Sequence, residues 1–389
     1  MMDGSIGPRP AACQSGPLSC AGRGSTVSGD VLIVGVSTRA AAGSAIRGGL
    51  RPRCVDLFAD RDLAAISSVD RVDALQDCAA IAEAMPPCPW FYTGGLENHP
   101  AVVDRIARRD RLWGVHGEVL RRIRDPIEVG RILADAGLPV PDVRSSASGL
   151  PRDGTWLSKP IASGGGIGVR PLLGPEDPDD EPRYYQRRIE GPSYSALFIG
   201  AGGRSRLIGV VRQWIGGVPG RPFAYRGGIG PCRLEPRFEA RLRSLGDRLA
   251  TAFELVGWFG VDYVSRDGWP WPVEVNPRYT ASVEIHERAT GRALLPDHRD
   301  ACEDGSLSEM DPPPRRNVVA KRILYAPRRL VFPAGEWPEG AIADIPAPGT
   351  IIEPGDPVLT LLVEAPDATT CRARLRRIRQ AIGRMLLLG

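Results

Sequence analysis

The feature that most constrains this chain is a short hairpin two thirds of the way along it. Trp258–Val264 and Trp271–Val275 read as two strands joined by the turn Ser265–Gly268, SRDG, whose Asp-Gly pair is a strong hairpin signal. Both strands are mostly apolar, yet Asp262 interrupts the first, and Glu274 and Asn276 interrupt the second. Side chains alternate between the two faces of a strand, so Glu274 and Asn276 project the same way, and Asp262 on the partner strand can face the same side. Two carboxylates and an amide oxygen are hard donors that suit Mg²⁺ carried on nucleotide phosphates. Arg278, two residues further on, would enter the same site and could grip an anion bidentately. A solvated hairpin face would carry similar charges, but the run VEVNPR sets polar groups inside an apolar strand, which argues for a site.

A second feature lies upstream. Trp156–Pro160 (WLSKP) is followed by Ser163, Gly164, Gly165, Gly166 and Gly168. A lysine ending a strand, followed by a glycine-rich hairpin, can hold ATP phosphates: the glycines let backbone N–H groups approach, and Lys159 supplies a point charge. Of the 50 basic residues only two, Lys159 and Lys321, are lysines. In a chain so weighted to arginine, a lysine suggests a place where a compact charge is wanted and a guanidinium fork would not fit. Between the two features, Tyr184–Ser193 (YYQRRIEGPS) reads as a strand leaving a small sheet, able to pair its backbone with an adenine edge. Taken alone the glycine turn and this strand are ordinary; their order along the chain gives them weight.

The flanking sequence supplies the frame. Asp30–Ser37 (DVLIVGVS) is an apolar run of buried parallel-strand type. A helix over Thr38–Gly49, a strand at Arg53–Leu57, a helix over Val69–Met85, a strand at Pro89–Thr93 and a helix near His99–Arg109 follow. Alternation of this kind predicts an open α/β layer, and without G-x-G-x-x-G a dinucleotide site is not expected. Pro126–Ala136 is an amphipathic helix with proline in its first turn and Gly137 after its end. From Thr155 the texture is antiparallel strands and glycine loops, then a long helix over Pro236–Val256. Asp311–Arg316 (DPPPRR) reads as a linker. Val318–Tyr325 and Pro357–Val363 are strands, and Thr369–Leu387 is a basic helix.

Composition excludes several classes. The chain is 42% apolar and 25% charged, ordinary for a globular protein of two or three domains. No apolar run approaches the ~20 residues of a membrane helix. The net charge of +4 is spread along the chain, and no dense basic tract interleaves with aromatics, so nucleic acid is not an expected partner. Eight cysteines show no C-x-x-C pair, which leaves zinc and redox motifs unsupported and points to reduced thiols. Residues 1–29, rich in Gly, Ser, Pro and Cys, lack the apolar core of a signal peptide and are expected to be disordered, with the protein cytoplasmic.

Lysine with glycine loop, hinge strand, long helix, then D…E-x-N-x-R: in this order the chain resembles the ATP-grasp superfamily over roughly Arg121–Pro312. Its upstream α/β segment resembles that superfamily's pre-ATP-grasp domain. The resemblance implies a mixed α/β fold with an open α/β domain over 30–120, an ATP-grasp domain over 121–315 with a lid near 150–200, and a small β-rich C-terminal domain with a helix over 316–389. It implies ATP and Mg²⁺ as cofactors, with Mn²⁺ able to replace magnesium. Lys159 would contact the α/β phosphates, and Ser163, Gly164, Gly165, Gly166 and Gly168 would form the loop over the β/γ phosphates. Gln186, Arg187 and Ile189 would frame the adenine, the last two by backbone, and Ser193 stands where many members place a ribose-binding carboxylate. Asp262, Glu274 and Asn276 would hold magnesium, and Arg278 would act on the transferred phosphoryl group. The second phosphate lysine is absent, and Arg124 or Arg122 would replace it.

A finer resemblance is carried by VGVSTRAAAGSA, YTGGLEN (92–98), RQWIGG with FAYRGGIGP (223–231), VEVNPRYTASVEI, and the tail KRILYAPRRL with DIPAPGTIIEPGDPV. It is to the predicted ATP-dependent carboligases related to biotin carboxylase, the group that includes tyramine–glutamate ligase of methanofuran assembly. This implies a carboxylate–amine ligase working through an acyl phosphate, with small-molecule acid and amine as partners and a homo-oligomer by analogy. Arg212, Tyr225 and Arg226 are candidates for the acid pocket, and so is the turn Thr93–Asn98. Glu284 and His286 could touch substrate or cap a helix. Two other readings stand beside it: a biotin-carboxylase-like carboxylase and a non-catalytic ATP-binding regulator. No lysine follows Lys321, so the tail cannot carry biotin, and the complete polar set disfavours the regulator. Lys321 is expected to be structural.

Overall fold

The computed structural model describes residues 29–174, 181–308, 316–338 and 340–386. The expectations for residues 1–28, for the linker 311–315 and for the last helical residue Leu387 fall outside these.

The chain begins with a four-stranded parallel layer. Strands β1 (Asp30–Gly35), β2 (Arg51–Asp56), β3 (Ser68–Arg71) and β4 (Trp90–Tyr92) lie in the order β3-β2-β1-β4. Helices α1 (Arg39–Arg47), α2 (Arg61–Ala64), α3 (Cys78–Ala84) and α4 (Pro100–Ala107) connect or follow them. Strand β1 has no exposed residue and buries Val31–Gly35 completely, as a central parallel strand must. One element differs from the sequence reading. The helix predicted over Val69–Met85 opens as β3, which pairs with β2, and only Cys78–Ala84 is α-helical. The β-branched Val69 and Val72 tolerate an extended chain, and the free parallel edge on β2 gives Ser68–Arg71 its partner, which outweighs helix propensity.

Helices α5 (Gly117–Ile123) and α6 (Pro126–Asp135) lead out of this layer. Asp125 caps α6, its carboxylate accepting from the Ile127 and Glu128 amides. A small antiparallel sheet follows: β5 (Val143–Arg144), β6 (Asp153–Pro160), β7 (Arg170–Leu173) and β8 (Arg183–Arg187), in the order β5-β8-β6-β7. It packs its own core of Ala147, Trp156, Leu172 and Tyr185.

The large sheet has eight antiparallel strands in the order β13-β12-β9-β10-β11-β14-β18-β16. Its first half is β9 (Ser193–Ala201), β10 (Arg204–Ile215), β11 (Tyr225–Gly230), β12 (Gly257–Arg266) and β13 (Trp269–Asn276). Helix α7 (Pro236–Phe253) packs on it through Leu242, Leu245, Leu249 and Phe253, all buried. Burial of side chains of this size contributes roughly 1.5–3 kcal/mol each. The helix ends at Glu254, whose φ of 50° is left-handed. Helices α8 (Ala281–Thr290) and α9 (Leu295–Glu303) follow. The tail strands β14 (Val318–Tyr325), β16 (Ile342–Ala343) and β18 (Pro357–Ala365) continue the same sheet, and β15 (Leu330–Val331) pairs with β17 (Ile351–Ile352) beside it. Helix α10 (Ala368–Met385) covers the tail strands, burying Cys371, Leu375 and Ile382. No described helix is long and apolar enough to cross a membrane.

Candidate functional site

The site lies between the two antiparallel sheets, in a cleft of about 910 Å³. Register places Asp262 on β12 directly opposite Glu274 on β13, and Gly260 opposite Asn276. Asp262 and Glu274 therefore share one face, and both line the cleft with Asn276 and Arg278. Asp262 accepts from the Gln213 side-chain amide at 3.0 Å and more loosely from the Asn276 amide at 3.4 Å. Glu274 accepts from Arg124 at 2.9 Å.

The charges are unevenly matched. Burial, reinforced by the neighbouring Glu274 charge, pushes Asp262 up to about 6, against the pull of Ser195, Arg278 and Gln213. Burial also pushes Glu274 upward, but Arg124, Lys159 and Arg278 outweigh it and hold the carboxyl below its ordinary range. Two facing carboxylates, one of them short of positive partners, make a place where a divalent cation would relieve repulsion. Among the described residues no group of three or more His, Cys, Asp and Glu converges. The protein thus offers two carboxylates and an amide, which suits a cation whose remaining oxygens come from phosphate and water.

Lys159 ends β6 and reaches over the cleft, donating to the Gln186 side-chain oxygen and to the Val273 carbonyl, each at 3.2 Å. Its ammonium also lies 5.3 Å from the centre of the Tyr184 ring. The glycine loop that follows is folded down onto the chain before β11. The Gly165 carbonyl accepts from the Tyr225 amide at 2.9 Å. At Gly166, with φ of 76°, an added Cβ would stand 1.9 Å from the Phe223 carbonyl oxygen. Ser163, Gly165 and Gly166 line the cleft; Gly164 and Gly168 do not, and the Gly168 carbonyl accepts from Arg183.

Gln186, Arg187, Ile189 and Ser193 line the far end, along β8 and the crossing to β9. The Arg187 amide already donates to the Asp142 carbonyl at 2.8 Å. Arg212 on β10, which pairs with Tyr194 beside Ser193, and Tyr225 and Arg226 on β11 also line the cleft. Tyr225 is raised above the ordinary phenol range by burial, with Asp262 adding to the effect.

Four features stand apart from the sequence reading. Arg124, named only as a substitute for a missing lysine, is a hub: besides Glu274 it donates to Asn98 Oδ1 at 2.9 Å and to the Ile161 and Ser163 carbonyls at 3.2 and 2.8 Å. Arg122 instead pairs with Glu128 at 3.0 Å outside the cleft. The turn Thr93–Asn98 does not line the cleft; it supports it from behind, Asn98 through Arg124 and Glu97 through Arg278, whose Nε donates to Glu97 at 2.7 Å. Glu284 and His286 are buried on α8, away from the cleft lining. Glu284 pairs with Arg39, and with Lys321 at 2.8 Å, while Arg39 reaches Asp344 at 2.9 Å. These charges hold the Glu284 carboxyl far below its usual range against the effect of burial. This network joins α1, α8, β14 and the residue after β16, so Lys321 is placed as a structural charge. Trp214 and Arg322, which lie within RQWIGG and KRILYAPRRL but had been given no role, also line the cleft.

Comparison with known proteins agrees with this geometry. Residues 123–282 match the model of the ATP-grasp domain family. An uncharacterized protein of Methanocaldococcus jannaschii is 24% identical over 361 residues, covering 86% of this chain and 88% of that one. Among solved structures, the biotin carboxylase domain of Hydrogenobacter thermophilus 2-oxoglutarate carboxylase, in complex with MgADP and bicarbonate, superposes with a TM-score of 0.69 at 15% identity, over 90% of this chain and 88% of that one. Phosphoribosylamine–glycine ligase of Thermotoga maritima gives 0.68 at 15% identity, over 90% and 96%. L-amino acid ligase of Bacillus licheniformis gives 0.67 at 13% identity, over 90% and 97%.

Proposed function

We propose that the chain, whose residues 123–282 match the ATP-grasp domain family, is an enzyme that uses ATP and Mg²⁺ to join a carboxylate to an amine through an acyl phosphate. The observation that carries this reading is the convergence of Lys159, Arg124, Asp262, Glu274, Asn276 and Arg278 on one cleft beneath a glycine loop.

A carboxylate is a poor electrophile, and transfer of the γ-phosphoryl group makes it a good one. The acid oxygen bonds to the γ-phosphorus as the bond to the β,γ-bridging oxygen breaks, and ADP leaves. The amine nitrogen then bonds to the acyl carbon; inorganic phosphate leaves and the nitrogen loses a proton. Asp262, Glu274 and Asn276 would hold Mg²⁺, which neutralises charge on the phosphates when bound. Lys159 would lie against the α/β phosphates, and Arg278 would meet the equatorial oxygens of the group in transfer. The loop Ser163–Gly168 would exclude water, which the acyl phosphate requires. Gln186, Arg187, Ile189 and Ser193 would take the nucleoside, and Arg212, Tyr225 and Arg226 the acid.

For the substrates we propose L-glutamate, or an acid like it, and an amine such as tyramine, in the assembly of a one-carbon carrier coenzyme of methanofuran type. The likeness of YTGGLEN, FAYRGGIGP and VEVNPRYTASVEI to the carboligase group supports this. The test is ADP release from Mg-ATP with a panel of acids, with and without amines, in wild type and Glu274→Ala. Release that needs both an acid and an amine and vanishes in the variant supports the ligase. Turnover with bicarbonate alone would replace it with a carboxylase. Nucleotide binding without turnover of any acid would favour the regulator.

A further inference from the structure

Beyond the phosphate machinery the cleft ends in a group of arginines. Arg226 on β11 and Arg322 on β14 both line it, and register sets Arg322 opposite Gly227, so the two stand on adjacent strands one residue out of step. The Arg322 guanidinium lies 5.4 Å from the centre of the Trp214 ring, and Trp214 too faces the cleft. Arg226 donates to the Gly216 carbonyl at 3.1 Å. Among the described residues no carboxylate pairs with Arg226, Arg322 or Arg379, and the Nε atoms of Arg226 and Arg322 are buried without a partner. Arg379 on α10 is near enough for its charge to act on both. Burial and repulsion from Arg379 hold Arg226 below the usual guanidinium range, and burial with Arg226 and Arg379 brings Arg322 down to about 10.

Elsewhere this chain pairs its buried arginines with acids, as Arg39 does with Glu284 and Arg278 with Glu97. Half-buried like charges without counter-charges are unfavourable unless an anion completes them. ATP is poorly placed to do so. Strand β12, which bears Asp262, is three strand spacings from β11 and four from β14 in the sheet, roughly 14 and 19 Å across. The cluster instead includes Arg226, one of the residues assigned to the acid. On α10, Arg372, Arg376 and Arg379 recur at helical spacing on one face, and Arg372 and Arg376 line a groove that shares Trp214 with the cleft.

We propose that Arg226, Arg322 and Arg379, beside Trp214, form a subsite for a second anionic group of the acid substrate. The enzyme would then activate one carboxylate of an extended dianionic or polyanionic acid, with further negative charges running outward along α10. This rests on the ligase reading above and narrows its substrate class.

The test uses matched acids differing in one anionic group: L-glutamate against L-glutamine, γ-L-glutamyl-L-glutamate against γ-L-glutamyl-L-glutamine, and O-phospho-L-serine against L-serine. ADP release is measured with Mg-ATP and tyramine, in wild type, Arg322→Gln and Arg379→Gln. The exposed Arg379 provides a variant that leaves the core untouched. In at least one pair the more anionic member is expected to have a kcat/KM about 10-fold higher or more, and the variants to erase that preference while the KM for ATP stays within about twofold. The glutamyl and phosphoserine pairs tell a carboxylate subsite from a phosphate one. Equal use of both members of every pair overturns the proposal. So does a rise in the KM for ATP matching the loss for the acid, which would make the cluster a nucleotide site. If no acid elicits ADP, the ligase reading fails, and calorimetry of the same acids on the Mg-ADP-loaded protein decides the subsite separately. Binding of an anionic member weakened about 10-fold by Arg322→Gln or Arg379→Gln sustains it; binding that is absent or unchanged overturns it.

Discussion

Glu97 offers the sharpest test of how the first α/β layer serves the cleft. Its side chain is 0% exposed, and it accepts from Arg278 Nε at 2.7 Å. Arg278 has two other acceptors, the Tyr279 carbonyl and Asn276 Oδ1, both at 3.1 Å and both neutral. Glu97→Gln keeps an acceptor of the same shape but removes the charge. A hydrogen bond to a charged group contributes about 1.5–3 kcal/mol and a neutral one about 0.5–1.5, so the anchor on Arg278 weakens by about 1–2 kcal/mol. If Arg278 acts on the phosphoryl group in flight, most of that loss falls on the transition state, which predicts a fall in kcat of about 5- to 30-fold.

Stability should move much less. The second carboxylate oxygen of Glu97 is buried without a partner, so the wild type already carries a desolvation cost that the neutral amide reduces. Arg278 lines the open cleft and is not left as a sealed charge, so the 3–5 kcal/mol typical of breaking a fully buried pair does not apply. Steady-state ADP release and thermal melts on the same preparation separate the two effects. The expected result is a lower kcat with the KM for ATP and the melting temperature nearly unchanged. A variant with wild-type kcat, or one whose activity falls only in proportion to folded protein lost, refutes the positioning role.

Three further outcomes follow from the same geometry. Gly166→Ala would drive a methyl into the Phe223 carbonyl at a φ of 76°; the loop should fail to seat, lowering amide formation about 10-fold or more and raising the share of ADP released without amide, read by comparing both products. Arg124→Lys keeps the charge beside Glu274 but cannot also span Asn98, Ile161 and Ser163; the KM for ATP should rise about 10-fold, and a wild-type KM would show that only the charge matters. Asp60 is pushed up to about 8 by burial and by Asp344, Asp62 and Asp56. Its folded pKa lies above its unfolded one, so its contribution to stability falls as pH rises from about 4 to about 8. Asp60→Asn should flatten that slope and be the more stable protein at pH 8 in urea titrations; parallel slopes would refute it.

The sequence made legible whatever local periodicity and spacing decide. Asp262 and Glu274 interrupt apolar strands joined by a Ser-Arg-Asp-Gly turn, and hairpin register alone brings their side chains together. Lys159 and its glycines are equally local. What escaped depends on contacts between distant segments. Strand β3 forms because β2 leaves a parallel edge open, which no window over Val69–Met85 contains. Glu97 and Arg278 are 181 residues apart, and Arg39 and Glu284 are 245 apart, so nothing in either segment marks its partner. Lys321 and Arg322 are neighbours on β14, yet one closes a buried network and the other faces the cleft. Alternation along a strand predicts that split, though not which face is which.

The same contrast bears on how the chain divides its labour. The residues assigned to the nucleotide, Arg124 and Arg278 apart, come from one continuous stretch, β6 to β13, and could be named in order. The proposed anion subsite would draw Arg226 from β11, Arg322 from β14 and Arg379 from α10, and the tail comes beside it because β14 joins the large sheet next to β11. A substrate end assembled from separate segments can change by substitution in one of them while the phosphate machinery stays fixed. On that argument, exchanging the tail arginines should alter which acid is accepted before it alters how ATP is used, and acid selectivity measured beside the KM for ATP in Arg379→Gln is where that separation would show.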